Sequence, residues 1–191
     1  MSSAKTASSV ENALFSAAMK DCGRHRSKVW WNKAGRQTGW CAHRRHHLPD
    51  QDAAVLIGSS ARAQTLGLRP RARIVDSCLV GSDSVLMLTG PIPVTQRLLQ
   101  RAGLTVDDID VFEVNEEFAS VVLAWQHVLS VDPAKVNPND GAIALGHPLG
   151  ANEALLITKA LNELERIDGR YALVKMCCGA GMGTGMLVER V

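Results

Sequence analysis

Three short segments of this 191-residue sequence pair chemically capable side chains with small neighbours that admit a ligand. The first is E-V-N-E-E-F-A at 113–119, where a strand-like run hands over to a helix-like one. Asn115 there is either a helix N-cap or a hydrogen-bonding group for a substrate. The second is G-A-I-A-L-G-H-P-L-G at 141–150. Glycines around His147 let a ligand approach closely, and an imidazole can act as general base or oxyanion donor. The third is C-C-G-A-G-M-G-T-G at 177–185, following an apolar run. A glycine loop after a strand can cradle a dinucleotide, but that needs G-x-G-x-x-G opening a helix. Here position 184 is Thr, and the six residues after Gly185 carry no helical pattern. No G-x-x-x-x-G-K-[ST] occurs either, which excludes a P-loop. What remains is a thiol at a strand end, beside glycine amides that can stabilise a thiolate or a substrate oxyanion. An Asn, a His, a thiol and an amide nest form an inventory for acyl transfer or proton abstraction next to a carbonyl.

The elements that must position these groups follow from periodicity. Ala53–Gly58 is a short apolar run, and 59–66 predicts a helix closed by Gly67. Arg73–Val80 predicts a strand. Pro91 and Pro93 open a helix with Val94, Leu98, Leu99 and Ala102 inward, stopped by Gly103. Asp110–Val114 predicts a strand, and Glu116–Leu129 a helix striped by Phe118, Val121, Val122, Trp125, Val128 and Leu129. The unbroken run Val121–Trp125 is broader than one buried face, which suits a helix covered on two sides. A second long helix is predicted from Ala151 to Arg166, then strands at Tyr171–Met176 and Met186–Val191 around a glycine-rich turn. This order implies an α/β layered domain with a mixed sheet. Residues 9–19 predict a short helix capped by Ser8 or Ser9, whereas 20–47 keeps no period.

Composition divides the chain near Leu48-Pro49-Asp50. The net charge is +2, yet residues 1–47 carry nine Lys/Arg against two acids, and 48–191 carry twelve against seventeen. Three of the four tryptophans and four of the six histidines also fall before residue 48. We read 1–47 as a basic, atypical, poorly ordered segment and 48–191 as the folded domain. No apolar run approaches the ~18 residues of a membrane span. Five cysteines without a secretory signal favour thiols in a reducing cytoplasm over a disulfide framework.

The motifs N-E-E-F-A (115–119), N-P-N-D-G-A-I-A-L-G-H-P-L-G (137–150) and C-C-G-A-G-M-G-T-G (177–185) resemble the three C-terminal signatures of the thiolases. That family comprises acetyl-CoA acetyltransferases and 3-ketoacyl-CoA thiolases of fatty acid and lipid metabolism. The resemblance runs from about Asp52 to Val191, which implies a C-terminal half only, with a truncated or frameshifted N-terminus. It implies a mixed five-stranded sheet flanked by helices. By resemblance, His147 would activate a nucleophilic cysteine and help bind the thioester oxygen. Asn115 would hold a water in the same oxyanion hole, Cys177 would remove or return the α-proton of acetyl-CoA, and the Gly179 amide would serve a second oxyanion hole. No metal or prosthetic group is implied, since coenzyme A enters as part of the substrate.

The family's nucleophilic cysteine belongs to its N-terminal half, and Cys22 and Cys41 lack the setting expected around it. Glu117 stands where the family usually has Ala, Asp140 and Ala180 stand at glycine positions, and Asn152-Glu153 replaces a Ser/Thr-Gly pair. The expectation is a thiolase-type acyltransferase, incomplete without its other half, acting on acyl-CoA and CoA, as a homo-oligomer or with a thiolase partner. The alternatives are a non-catalytic remnant or subunit that binds acyl-CoA or a thiolase, and a zinc- or nucleic-acid-binding segment built on Cys22, His25, Cys41 and His43 or His46, with nucleic acid disfavoured.

Overall fold

The computed structural model describes residues 53–191 in full and the backbone of Asn12–Ser16. The 47/48 boundary and the five Cys/His residues of the zinc alternative lie outside the described residues. In chain order the elements are β1 (Asn12–Ser16), β2 (Val55–Ser59), α1 (Ser60–Thr65), β3 (Ala72–Gly81), α2 (Pro91–Ala102), β4 (Val111–Val114) and α3 (Ala119–Leu129). A 3-10 turn at Pro133–Lys135 follows, then α4 (Ala142–Leu145), α5 (Asn152–Ile167), β5 (Tyr171–Cys178) and β6 (Met182–Arg190).

The strands form one sheet in the order β2-β1-β3-β6-β5-β4. Only the β4–β5 pair is parallel, so the sheet is mixed, as expected. The described sheet holds six strands rather than five, because β1 pairs with both β2 and β3. The helix predicted over 9–19 is therefore corrected to a strand at 12–16. Strand edges on both sides offer this short segment a full ladder of backbone hydrogen bonds, which outweighs its modest helical propensity.

Strand alternation sorts the core into two layers. Val111 and Glu113 of β4, with Ala172 and Val174 of β5, face α5 and its Leu156, Ile157, Ala160, Leu161 and Leu164. Phe112, Val114 and Leu173 face α2 and α3, where Val94, Leu98, Leu99 and Trp125 are buried. A bulge between Ile74 and Asp76 shifts the register of β3. Ala72 and Ile74 consequently pack with the α5 layer, whereas Cys78 and Val80 pack with the α2 layer. Trp125 sits edge-on to Phe112 at 5.3 Å and donates to Thr95 Oγ1 at 2.9 Å, tying α3 to α2.

The helix predicted from Glu116 begins instead at Ala119. Phe118 is extended (φ −138°, ψ 144°) and no side chain caps the helix, so Asn115 is not its N-cap. Glu116 and Glu117 are engaged elsewhere, and residues 115–118 lie outside the helix. The predicted stripe is also only half buried: Val121 and Trp125 face the core, whereas Phe118 and Val128 are exposed, as is Leu123 at 63%. Part of the glycine run predicted as a turn belongs to β6. A Cβ on Gly183 would lie 2.6 Å from the backbone of Gly90, and one on Gly185 would lie 2.4 Å from Val94, so these two glycines let α2 seat on the sheet.

Candidate functional site

The C-terminal ends of parallel strands β4 and β5 lie side by side. The Asn115 amide donates to the Lys175 carbonyl at 3.0 Å, which carries the pairing one residue past β4. Asn115 is buried at 1% exposure, and its Oδ1 accepts from Asn152 Nδ2 at 2.9 Å. Asn152, the first residue of α5, also reaches Met176 Sδ at 3.3 Å. Asn115 Nδ2 is buried and has no hydrogen-bond partner among the described residues.

Cys177 follows Met176 and, by alternation, points to the other face. It is buried, and its Sγ lies 3.5 Å from Glu117 Oε2. Burial, then the Glu117 carboxylate, pushes the Cys177 thiol up to about 12. This corrects the expectation that nearby glycine amides stabilise a thiolate, since a fixed carboxylate beside the sulfur disfavours the anion. The neighbouring Cys178 thiol is also raised, first by burial and then by Glu153 and Glu117. Beyond Cys178 the amide nest narrows to 179–181. A Cβ on Gly179 would meet nothing within 4 Å, so its backbone faces open space. Ala180 takes a left-handed φ of 61°, and Gly181 one of 74°.

His147 lies in the loop that leads from α4 into α5. Its Nδ1 is buried without a hydrogen-bond partner, and no hydrogen bond joins it to Asn115 or Cys177 among the described residues. The structure thus brings Asn115 and Cys177 to adjacent strand ends on opposite faces of the sheet and places His147 in the loop entering α5.

That loop is anchored by groups the motifs did not single out. Asn137 accepts from the Val114 amide at 2.8 Å and donates to its carbonyl at 3.0 Å. It also donates to Glu116 Oε1 at 2.8 Å, and Glu116 Oε2 accepts from the Ile143 amide at 3.2 Å. Gly141 is required here, because a Cβ would fall 2.2 Å from the Glu116 carboxyl carbon. Lys159 spans the same region, paired with buried Glu113 at 2.8 Å and donating to the Asp140 carbonyl. Burial raises the Glu113 carboxyl to about 7 despite this partner. Among the described residues no cluster of three or more His, Cys, Asp or Glu could hold a metal, and no helix is long and apolar enough to cross a membrane.

Sequence reasoning missed Asn152, Glu117 and Glu116 as members of this constellation. The first two were visible as departures from the resembled pattern, but nothing in the sequence says which side chain each one touches.

This arrangement supplies donors and a protonated thiol at adjacent strand ends. Residues 68–190 match the family model "Thiolase, C-terminal domain". The steroid 3-ketoacyl-CoA thiolase FadA6 of Mycobacterium tuberculosis is 54% identical over 144 residues, 75% of this chain and 35% of that protein. The beta-ketothiolase BktB of Cupriavidus necator is 50% identical over 144 residues, 75% of this chain and 36% of its own length. The crystal structure of human mitochondrial 3-ketoacyl-CoA thiolase in complex with CoA superposes with a TM-score of 0.70 at 38% identity, over 73% of this chain and 35% of that one. The chain therefore spans about a third of the length of the curated relatives it matches. Three motifs in order, the fold that aligns their ends and a family match over 68–190 lead to one conclusion: this chain belongs to the thiolase family and carries its C-terminal domain.

Proposed function

We propose that this chain supplies the proton-transfer half of a thiolase-type acyltransferase. The reaction is Claisen condensation of acyl-CoA with acetyl-CoA, or its thiolytic reverse, as part of fatty acid and lipid metabolism. One observation carries the reading: the unpartnered Asn115 Nδ2 and the Cys177 thiol sit at adjacent ends of β4 and β5. A substrate carbonyl that takes on negative charge needs such a donor, and its α-carbon needs an acid or base. Cys177 is that acid/base, Asn115 and the Gly179 amide stabilise carbonyl oxygens, and His147 serves the nucleophile and the thioester oxygen. The acyl-carrying nucleophile comes from the N-terminal half of a thiolase, in a partner polypeptide or a homo-oligomer. The protein works in the cytoplasm, and the free thiols Cys78, Cys177 and Cys178 suit a reducing compartment.

The test is exchange of the acetyl-CoA methyl protons with deuterium oxide, which needs the proton-transfer half alone. Exchange should be detectable, fall at least a hundredfold in Cys177→Ala, and be accompanied by thiolysis of acetoacetyl-CoA once an N-terminal thiolase half is added. Absence of exchange with and without that half would remove the catalytic reading. A second reading, a non-catalytic subunit that binds acyl-CoA or docks on a thiolase, is favoured by the exposure of Leu123 and Val128 on α3 and of Phe118 just before it. It predicts CoA or thiolase binding without exchange.

A further inference from the structure

Glu117 is an unusual neighbour for a thiol assigned to proton transfer. It sits in the 115–118 connection between β4 and α3, with Oε2 3.5 Å from Cys177 Sγ. The carboxylate can only accept when ionised, so the thiol must donate, and the contact exists only while sulfur keeps its proton. The other charged groups around this site are few. Glu117 and the adjacent Cys178 act on Cys177, and Glu153 at the start of α5 acts on Cys178. No cation is among the groups that shift either thiol.

From this geometry we propose that Glu117 is a positioning residue that orients the Cys177 S–H and holds Cys177 in its proton-donating form. The inference rests on the acid/base role of Cys177 given above and deepens it. In thiolytic cleavage, the nucleophilic cysteine supplied by the N-terminal half gives its proton to His147, attacks the 3-keto carbonyl and takes the acyl group as a thioester, while the carbon–carbon bond breaks and its electron pair stays on the acetyl-CoA fragment as an enolate. The Cys177 proton moves to that enolate carbon, giving acetyl-CoA and a thiolate on Cys177. The thiolate, facing Glu117, then takes the proton of the incoming coenzyme A thiol as its sulfur attacks the acyl thioester, which releases the nucleophilic cysteine to regain its proton from His147. The chain thereby begins the cycle with the proton already placed for the cleavage direction.

The experiment reads thiol acidity without any substrate. The full chain is treated with iodoacetamide across pH 7–10.5, and the rate at each cysteine is read by peptide mass mapping. Ordinary thiols reach a plateau in this range, whereas Cys177 should climb tenfold per pH unit with no plateau. Glu117→Gln keeps the size and removes the charge. It should raise the Cys177 rate about tenfold at pH 8.5 and about eightfold at pH 10.5, equivalent to a fall of about one pKa unit from about 12. Cys78, whose thiol is raised first by burial and then by Asp76, against Arg101 and Arg97, serves as the internal control and should not change. Altered accessibility would raise the rate in Glu117→Asp as well. Glu117→Asp retains the charge and should keep the Cys177 rate within twofold of the original.

A Cys177 profile in Glu117→Gln within twofold of the original at every pH, with Cys78 unchanged, overturns the proposal. So does an equal increase in Glu117→Asp. If Glu117→Gln unfolds, Cys78 will react faster too, and Glu117→Ser is used in its place with the same readout. Failure of the acid/base reading looks different: the alkylation profiles behave as expected while deuterium exchange into acetyl-CoA is absent.

Discussion

Replacing Lys175 by methionine is expected to stabilise the protein at neutral pH. Lys175 lies on β5 with 0% exposure, and its Nζ has no hydrogen-bond partner among the described residues. The nitrogen sits 3.9 Å from the Trp125 ring centroid and 4.5 Å from that of Phe112. Burial drives its pKa well below the usual amine range, against the opposing pull of the Glu113 carboxylate. For each unit by which the folded value falls below the unfolded one, the fold loses about 1.4 kcal/mol once the pH is at or below the folded value. The unpaired buried donor costs about 1–3 kcal/mol more. Methionine forfeits the ring contacts, worth about 1–2 kcal/mol to an ammonium and less to a neutral amine. It fills a similar volume, so repacking costs under about 1.5 kcal/mol. Glu113 is not stranded, because Lys159 remains its partner at 2.8 Å. The net gain at pH 7 should be at least about 1 kcal/mol by these figures. The sign with pH follows from proton counting. Between the lowered folded value and about 10.4 the unfolded lysine is charged while the folded one has shed its proton, so the unfolded state binds more protons and stability rises with pH. The variant lacks this rise, so its advantage should shrink from pH 7 to pH 9.5, by at most about 1.4 kcal/mol per unit. Urea unfolding of both proteins at the two pH values measures this, and the raised thiols, common to both, cancel in the difference. A variant less stable at pH 7, or an advantage equal at both pH values, would refute the reasoning.

Ala180 holds a left-handed φ of 61° on an exposed turn, so Ala180→Gly should stabilise by about 0.5–1 kcal/mol, seen as a higher urea midpoint with an unchanged slope. Gly183→Ala should destabilise by more than about 2 kcal/mol or abolish soluble expression, because the new Cβ meets the Gly90 backbone, 2.6 Å away, which cannot rotate aside. A normal unfolding midpoint in Gly183→Ala would show that α2 does not seat on β6 as described.

The regular elements were legible wherever one face is buried and the other is not. Helix α2 runs from Pro91 to Ala102, as its two prolines and its stop at Gly103 announced, and Gly103 takes the left-handed φ of 67°. Strands β3, β4 and β5 came within two residues of their predicted ends. The misses share a cause. The start of α3, the extent of β6 and the strand at 12–16 were each decided by a partner distant in sequence. Glu116 is bound to the 137–143 loop, Gly183 is pressed on Gly90, and Asn12–Ser16 is paired with β2 and β3. Local propensity contains none of these contacts. The exposed side of α3 belongs with them, since Val121–Trp125 reads as doubly covered while the described residues cover only Val121 and Trp125 fully.

The site was legible to a different depth. The residue types at 115, 147 and 177 could be named because small neighbours and strand ends mark them. What sets their chemical state could not, because it lies in the substituents around them. Two departures from the resembled pattern contact the candidate groups directly: Asn152 on Asn115 Oδ1, and Glu117 on Cys177 Sγ. Each acts on hydrogen rather than on shape. Asn152 fixes the Asn115 amide so that its N–H end is the free one, and Glu117 keeps the sulfur protonated. The result is a buried N–H donor on the α5 face of one strand end and a thiol paired with a carboxylate on the other face of its neighbour, whereas a bare Asn and Cys could present either donors or acceptors. The substitutions that separate this chain from its relatives' pattern therefore leave the inventory of the site intact while narrowing the protonation state in which it waits.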